Sequence, residues 1–155
     1  MTYQEHTLFV YDLNFNKIRE QYFDTDSHEG WGMTTDGTYL IVSDGSSNIQ
    51  YFEPQTFKLV KRITVNESGF PTANVNELEL IDGFIYANQW KEKWIYKIDP
   101  ATGNVVAKTD IGDIWNQTIQ NNVDAVPNGI AYDSRSKKIY ITGKNWPRLY
   151  EVKFQ

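Results

Sequence analysis

The sequence contains no cysteine, which excludes a disulfide framework, a thiol nucleophile and a cysteine-based zinc site. Histidine is also scarce: His6 and His28 are the two present, and their spacing does not match a metal-ligand motif. A metal site built on cysteine or histidine is therefore not indicated. Apolar runs are only a few residues long, too short to span a membrane. The first residues of the chain contain no apolar core of a secretion signal.

Charge of one sign is not concentrated anywhere in the chain. The 15 Lys and Arg residues are scattered among 20 Asp and Glu residues, and the formal net charge is −5. A nucleic-acid-binding domain usually carries a basic stripe, so nucleic acid is not expected as a partner. Aromatic residues, by contrast, are abundant at 15%. This abundance favours half-buried strands or the walls of a ligand pocket.

Short β-rich runs are the dominant local pattern. Tyr39–Ser43, Phe84–Asn88 and Lys138–Thr142 each follow a turn that contains aspartate. An Asp-Gly step between two such runs is a strong indicator of a hairpin. No convincing helix is predicted. The segment Asp113–Asn122, which has room for one or two helical turns, is interpreted as a long loop.

The β-rich runs belong to an internal repeat. Like residues recur 46 positions apart in three pairs: Asp36 and Asp82, Ile49 and Ile95, and Pro54 and Pro100. Each unit contains four short strands in about 45 residues, which is the size of a β-propeller blade. The sequence therefore predicts an all-β fold built from four-stranded propeller blades.

The repeat is incomplete at both ends of the sequence. The segment that begins at Leu8 matches the third strand of a unit, and Leu149–Phe154 is a third strand without a fourth. We therefore expect one domain over residues 1–155, with a leading hairpin, two complete blades and a last blade without its outer strand. Because closed propellers usually have four to eight blades, this is a partial propeller. Its open blade edges are expected to favour self-association.

Candidate functional residues lie where the strand pattern is interrupted. Three segments begin blades, His28–Gly32, Asn76–Glu79 and Asn128–Ala131, and two follow second strands, Asn88–Trp90 and Thr142–Pro147. First strands of blades line the central channel of a propeller, so these segments are expected to converge at its mouth. The expected site combines two tryptophans, an amide, an ammonium group and acidic side chains: Trp31, Trp90, Asn76, Lys144, Glu29, Glu77 and Glu79.

Each of these residues also has a purely structural interpretation. The two tryptophans are suited to packing between blades, Asn76 to capping a turn, and Lys144 to a solvated loop. Glu77 and Glu79 share one face of a strand and are also suited to ion pairs between blades. The segment Ser43–Ser47 is similar in composition to a nucleophile turn but lacks the Gly-x-Ser-x-Gly pattern. It is therefore interpreted as a blade turn.

Seven motifs follow one another from about residue 28 to the C-terminus. In chain order they are Glu29–Gly32, Asp36–Gly37, Val42–Ser46, Asn76–Glu79, Ala87–Trp90, Asn128–Asp133 and Thr142–Val152. In this combination the sequence resembles the plant-type glutaminyl-peptide cyclotransferases, also called glutamine cyclotransferases. Any one motif alone would be weak. The resemblance implies a five-bladed propeller, of which this chain is the later part.

The resemblance implies an enzyme and a reaction. The α-amine of an N-terminal glutamine attacks its own side-chain carboxamide, ammonia leaves, and pyroglutamate remains at the end of the peptide. The expected partner is therefore a peptide or protein with an N-terminal glutamine. Such a site has to fold the substrate into an attacking pose, move a proton and stabilise an oxyanion. No metal or redox cofactor is chemically required.

The resemblance also implies roles for the matching residues. The two tryptophans would form an aromatic cage around the substrate, Asn76 would orient its amide or amine, and Lys144 would bind or polarise a carbonyl group. The catalytic glutamate of the family is expected in an earlier blade, upstream of the Glu-Gly-Trp-Gly motif. Within this chain, Glu29 and Glu77 are the candidates to take its place as general acid/base.

Two other functions are compatible with these residues. A propeller fragment with the tryptophans and Asn76 but no working acid would bind peptide ends without catalysis. Pro127–Ile130 resembles the metal-ligand motif of gluconolactonase-type propellers, which implies a metal-dependent, lactonase-like hydrolase. That motif is short, and Gly143–Pro147 fits the cyclotransferases better. The family resemblance implies that full-length relatives are secreted or periplasmic.

Overall fold

The computed structural model describes residues 1–118 and 122–154 and consists mainly of antiparallel strands. In chain order the elements are β1 (Thr7–Tyr11), β2 (Lys17–Tyr22), β3 (Gly32–Thr35), β4 (Leu40–Ser43), β5 (Asn48–Phe52), β6 (Leu59–Thr64), β7 (Asn66–Glu67), β8 (Phe70–Pro71), β9 (Val75–Ile81), β10 (Phe84–Gln89), β11 (Trp94–Ile98), β12 (Val105–Asp110), α1 (Gly112–Thr118), β13 (Pro127–Asp133), β14 (Lys138–Gly143) and β15 (Tyr150–Val152). Among the described residues, no helix has both the length and the apolar character needed to cross a membrane.

The strands form four successive sheets that correspond to the predicted units. The first sheet pairs β1 with β2, and the next two have the orders β3-β4-β5-β6 and β9-β10-β11-β12. The last sheet has the order β13-β14-β15. Within the part of the chain that the structure describes, the leading hairpin, the two complete four-stranded blades and the last blade without an outer strand are therefore confirmed. A small hairpin, β7-β8, lies in the connection between the two complete blades.

Local turn chemistry explains where the inner hairpins turn. Asp82 and Gly83, which join β9 to β10, have φ angles of 48° and 83°. Two successive positive φ angles are what a type I′ hairpin requires. In the turn before β4, Asp36 Oδ1 accepts hydrogen bonds from the main-chain N–H groups of Thr38 and Tyr39 at 2.8 and 2.7 Å. The predicted aspartate turns are therefore confirmed at both places.

The prediction of a long loop after β12 is wrong for its first part, because Gly112–Thr118 forms helix α1. Asp110 Oδ1 accepts the main-chain N–H of Gly112 at 2.8 Å, which satisfies a donor at the start of the helix. Trp115 donates its indole N–H to the main-chain oxygen of Ala125 at 2.6 Å. A helix this short is not stable alone, so tertiary contacts decide its formation. Residues 119–121 of the predicted loop lie outside the described residues.

Three apolar clusters fill the spaces between neighbouring blades. The two faces of one strand contribute to different clusters: Ile41 of β4 packs toward the second complete blade, whereas Val42 packs with Leu8 of the leading hairpin. In the same way, Ile85 of β10 packs toward the first complete blade and Tyr86 packs toward the last blade. The blades therefore stack face to face. The inner strand β9 lies between the inner strands β3 and β13.

Candidate active site

A cavity of about 330 Å³ opens at one end of the inner strands. Trp31 lies just before β3, Asn76 lies in β9 and Asn128 lies in β13, so three blades contribute to its wall. Trp90 and Lys144 come from the loops that follow the second strands β10 and β14. The structure thus brings together the four residues predicted to contact substrate. The other lining residues are Met1, Tyr3 and Gly30.

Trp31 and Trp90 form an aromatic pair at this cavity. Their ring centroids are 5.3 Å apart and their ring planes meet at 80°, the edge-to-face arrangement that ring quadrupoles favour. The Trp31 indole N–H donates a hydrogen bond of 2.8 Å to Glu29 Oε2. The ammonium group of Lys91 lies 4.5 Å from the Trp90 ring centroid. Each tryptophan is therefore held by a partner beside the cavity, and each remains half-exposed.

Two glycines allow Trp31 and Asn76 to take these positions. Gly45 has a φ angle of 78°, and a Cβ at that position would lie 2.5 Å from the Trp31 ring. At Gly32, a Cβ would overlap the main-chain oxygen of Asn76, so β3 and β9 approach closely there. Ser43 Oγ donates a hydrogen bond of 2.6 Å to the same oxygen. The turn around Gly45 therefore supports the cavity wall.

Asn76 is only 3% exposed and yet lines the cavity. None of the side-chain hydrogen bonds among the described residues involves its amide, which leaves that amide available to a ligand. Asn88 is fully buried one strand away and accepts the main-chain N–H of Gly129 at 3.0 Å. This bond ties β10 to β13 beside Asn128, so the wall contributed by the last blade is also fixed.

Glu29 stands beside the cavity and is not part of its described lining. Its Oε1 accepts a hydrogen bond of 2.7 Å from Gln4 Nε2, and its Oε2 accepts the bond from Trp31. Hydrogen bonds from Gln4, Trp31 and Tyr3, in that order, hold the pKa of Glu29 below its usual range. The side chain is therefore a carboxylate at neutral pH, and it orients Trp31.

Glu77 and Glu79 alternate along β9 and are both partly buried. Burial, and to a smaller extent the charge of Glu79, raises the pKa of Glu77 to about 7. Burial also raises the pKa of Glu79, against hydrogen bonds from the Tyr132 main chain at 2.9 Å and the Thr34 hydroxyl at 3.4 Å. Within the described residues, neither glutamate forms an ion pair or lines the cavity. Glu79 instead joins β9 to both neighbouring inner strands.

Lys144 is exposed at the open side of the cavity. Its main-chain N–H donates to the oxygen of Val126 at 2.9 Å, which fixes the loop after β14. Trp146 packs over Gly143, where a Cβ would overlap the indole ring. No acidic side chain in the described part of the chain forms an ion pair with Lys144. Its positive charge is therefore available to a carbonyl or anionic group in the cavity.

Tyr3 lines the cavity but is absent from the prediction, and Asn128 lines it within a segment expected at the channel mouth without being named as a site residue. Asn128 in β13 corresponds to Asn76 in β9. Each directly follows a residue that pairs with the last residue of the next strand, Pro127 with Gly143 and Val75 with Gln89. The internal repeat therefore contained the information needed to predict Asn128. Tyr3 belongs to the segment before β1, which matches no part of the repeat, so no sequence pattern indicates it.

Metal-type ligands are found outside this cavity. The described lining contains no histidine or carboxylate, so Asn128 has no companion ligand for a lactonase-like metal site. One group of three such ligands occurs in the described part of the chain, and it consists of His6, Asp24 and His28. The spacing of the two histidines does not indicate this group, because the fold of the leading hairpin brings them together around Asp24.

Face-to-face stacking of antiparallel blades, with an aromatic cavity at one end of the inner strands, defines a propeller-like protein with a candidate ligand pocket. The chain matches the family model described as glutamine cyclotransferase over residues 1–154. It belongs to that family, and the predicted resemblance is confirmed.

Known proteins agree with this assignment. The chain is 34% identical over 154 residues to a glutaminyl-peptide cyclotransferase of Arabidopsis thaliana, an alignment that covers 97% of this chain and 47% of the relative. The crystal structure of Myxococcus xanthus glutaminyl cyclase matches with a TM-score of 0.89 and 37% identity, covering 97% of this chain and 65% of that structure. The WD40 propeller domain of Doa1 matches in fold, with a TM-score of 0.55 and 10% identity over 92% of this chain. The chain thus spans about half the length of the plant relative.

Proposed function

We propose that the protein acts as a glutaminyl-peptide cyclotransferase, which converts the N-terminal glutamine of a peptide to pyroglutamate and releases ammonia. The observation that carries this proposal is the convergence of Trp31, Asn76, Trp90 and Lys144 on one cavity. Its volume of about 330 Å³ suits a small ligand group, since small-molecule sites measure about 300–1,000 Å³. The expected partner is a peptide or protein that begins with glutamine.

The reaction closes a ring within one substrate residue. The α-amino nitrogen forms a bond to the side-chain Cδ, the bond from Cδ to the amide nitrogen breaks, and the proton lost by the amine leaves with that nitrogen as ammonia. Because both reacting groups belong to one glutamine, the site gains most by folding the side chain back toward its own amine. The Trp31 and Trp90 rings offer an apolar wall that excludes water and restricts the side chain to such a pose.

Lys144 and Asn76 supply polar contacts for the substrate amide. Negative charge develops on the amide oxygen as the ring closes, and a donor aimed at such an oxygen typically contributes about 10²–10³-fold to the rate. The Lys144 ammonium is the cationic donor at the cavity. Asn76 carries both donor and acceptor atoms on a buried strand, so it can orient the amide or the amine. Asn128 offers a second amide from the next blade.

For proton transfer, we assign Glu77 the role of general acid/base and Glu29 the role of positioning Trp31. A pKa of about 7 gives Glu77 both protonation states near neutral pH, which suits a group that accepts a proton and returns it. Glu77 directly follows Asn76 on β9, and its side chain is not part of the described cavity lining. In this role Glu77 would exchange its proton with the substrate amine through a bridging water. The hydrogen bonds of Glu29 to Gln4 and Trp31 occupy its carboxylate.

A second function is favoured by one observation. Neither Glu29 nor Glu77 is among the described residues that line the cavity, whereas both tryptophans, Asn76 and Lys144 are. A site with this lining would bind the glutamine end of a peptide without cyclising it. Both functions require binding of the peptide, and they differ in whether the bound peptide is cyclised. One assay therefore separates them.

The assay incubates the purified chain with a short peptide that begins with glutamine. We expect ammonia release, and the corresponding loss of mass, above the spontaneous rate. Replacing Lys144 with methionine removes the charge but keeps the length of the side chain, and we expect kcat/KM to fall by about 10²-fold. Lys58 is exposed and lies outside the described cavity lining, so Lys58→Met is the matched control and should keep the activity.

The outcomes separate the two functions. Cyclisation that falls by about 10²–10⁴-fold in Glu77→Gln supports Glu77 as the general acid/base, and an unchanged kcat removes it from that role. Peptide binding without cyclisation, weakened by Lys144→Met, would establish the second function instead. A chain that neither cyclises nor binds the peptide would overturn both.

A further inference from the structure

Three side chains of the metal-ligating type meet at the junction between the leading hairpin and the first complete blade. His6 precedes β1, Asp24 follows β2, and His28 lies in the loop that leads to β3. His6 Nδ1 is 3.1 Å from Asp24 Oδ1, and His28 Nδ1 is 2.9 Å from Asp24 Oδ2. One ligand atom from each residue lies within 4.8 Å of the other two.

We propose that His6, Asp24 and His28 bind a divalent transition-metal ion of the Zn²⁺ type. Ligands about 2.0–2.1 Å from a tetrahedral zinc ion lie about 3.3 Å from one another. The two histidines are 3.1 and 2.9 Å from Asp24, each at a different carboxylate oxygen, so binding through one of these oxygens requires one imidazole to shift. The His28 side chain is 73% exposed, so it can adjust its position in this way. Solvent or an added ligand would take the fourth position.

The surroundings of Asp24 hold its carboxylate in place independently of the histidines. The Tyr22 hydroxyl donates to Asp24 Oδ2 at 3.0 Å, and the main-chain N–H of Thr25 donates to Oδ1 at 2.9 Å. The His6 ring stacks on Tyr22 with centroids 5.9 Å apart and planes at 27°. Outer hydrogen bonds of this kind orient ligands in metal sites and strengthen binding.

The chemical character of the three ligands selects the class of ion. Two imidazoles and one carboxylate suit zinc and its neighbours in the first transition row. Calcium and magnesium prefer sets made entirely of oxygen atoms, and this group offers oxygen from Asp24 alone. The site should therefore discriminate strongly between Zn²⁺ and Ca²⁺ or Mg²⁺.

A metal ion at this position would connect three segments of the chain. His28 is followed directly by Glu29, which accepts the indole hydrogen bond of Trp31. Thr25 Oγ1, next to Asp24, donates to the main-chain oxygen of Glu29 at 2.7 Å. The ion would therefore clamp the leading hairpin to the loop that positions Trp31.

The test is a zinc titration of the untagged, chelator-treated chain, followed by calorimetry at pH 7.5. We expect one ion per chain, and an affinity that falls more than about tenfold in His28→Gln and in Asp24→Asn. The chain contains two histidines, so proton NMR can follow both imidazoles, and both should shift. Asp12→Asn, in the turn between β1 and β2, is the matched control and should bind zinc like the wild type.

Three results would overturn the proposal. The first is the absence of saturable binding at a stoichiometry of one. The second is an affinity that is the same in Asp24→Asn, His28→Gln and Asp12→Asn, which would indicate non-specific carboxylates. The third is displacement of Zn²⁺ by an equal concentration of Ca²⁺. His28 is largely exposed, so His28→Gln should fold normally and keep these outcomes interpretable.

Discussion

At the scale of single residues, the burial of Glu77 makes the stability of the folded chain depend on pH. Its pKa rises from 4.5 to about 7 in the folded chain, because strand β9 removes it from water and places Glu79 on the same face. The folded state therefore binds the proton of Glu77 more tightly than the unfolded state between these two values. The resulting stability is fully present below pH 4.5 and is lost as the pH rises through about 7.

Glu77→Gln should remove this dependence on pH. At pH 8 the variant should have a higher free energy of unfolding than the wild type, by the order of 1–3 kcal/mol, and near pH 4.5 the difference should vanish. Urea unfolding at both pH values measures the effect. Glu29→Gln is the control with the opposite sign, because the lowered pKa of Glu29 stabilises the folded chain at neutral pH. An equal difference between wild type and Glu77→Gln at both pH values would contradict this account.

The residues that share the cavity could be predicted from the sequence. The hydrogen bonds and burial of each one could not. Trp31, Asn76, Trp90 and Lys144 converge because equivalent positions of successive blades face one end of the stack, and the repeat reveals those positions. The hydrogen bond from Trp31 to Glu29 depends on contacts between segments that no spacing encodes. The same is true of the burial of Glu77 and of the meeting of the two histidines at Asp24.

At the scale of elements, the turn between β4 and β5 controls the orientation of Trp31. Gly45 has a positive φ angle and lies against the Trp31 ring, whereas Gly37 has a positive φ angle of 84° and open space, with no atom within 4 Å of the point where a Cβ would lie. The two glycines therefore share a backbone conformation but differ in their surroundings. Substitution of each by alanine separates backbone strain from displacement of the ring.

We expect Gly37→Ala to cost about 1–2 kcal/mol of stability through backbone strain alone. Gly45→Ala should cost more, shift the tryptophan fluorescence and weaken peptide binding, because the added methyl group would displace Trp31. Thermal unfolding, fluorescence spectra and peptide titration measure the three effects. Equal fluorescence and binding in the two variants would show that Gly45 does not position the ring.

Elements defined by local chemistry were predictable, and those defined by packing were not. The Asp-Gly hairpin at residues 82–83 follows from the φ angles that glycine and aspartate tolerate. Helix α1 is too short to be stable by itself and depends on the bond between Trp115 and Ala125 across the chain. A single sequence contains no local sign of such a contact.

At the scale of the whole molecule, the partial propeller has strand edges that a complete blade would cover. Within the described residues, β1 pairs with β2 alone and β15 pairs with β14 alone, whereas β5 and β11 of the complete blades have partners on both sides. Phe9 and Tyr11 of β1 are 36% and 50% exposed. Unpaired edges with apolar side chains favour pairing with another chain, so we propose that these 155 residues, when isolated, self-associate as their concentration rises.

A charge on β1 should weaken this association. Phe9 pairs with Glu20 across the hairpin, so Phe9→Lys places a lysine opposite a glutamate and should leave the hairpin intact. Sedimentation velocity should show a dissociation constant raised by about tenfold or more. Phe70→Lys, an equally drastic change on the exposed hairpin β7-β8, is the control and should have no effect. A monomer at all concentrations in the wild type would refute the expectation.

The division of each strand between two apolar clusters has a consequence for folding. The apolar clusters are shared between neighbouring blades: Ile41 and Val42, adjacent in β4, pack against opposite neighbours. Stability is then a sum of nearest-neighbour couplings along a one-dimensional array, as in solenoid proteins. Within the described residues, the blades β3–β6 and β9–β12 each have couplings on both sides. Folding can then nucleate at any coupled pair of blades, and order spreads from that pair to its neighbours.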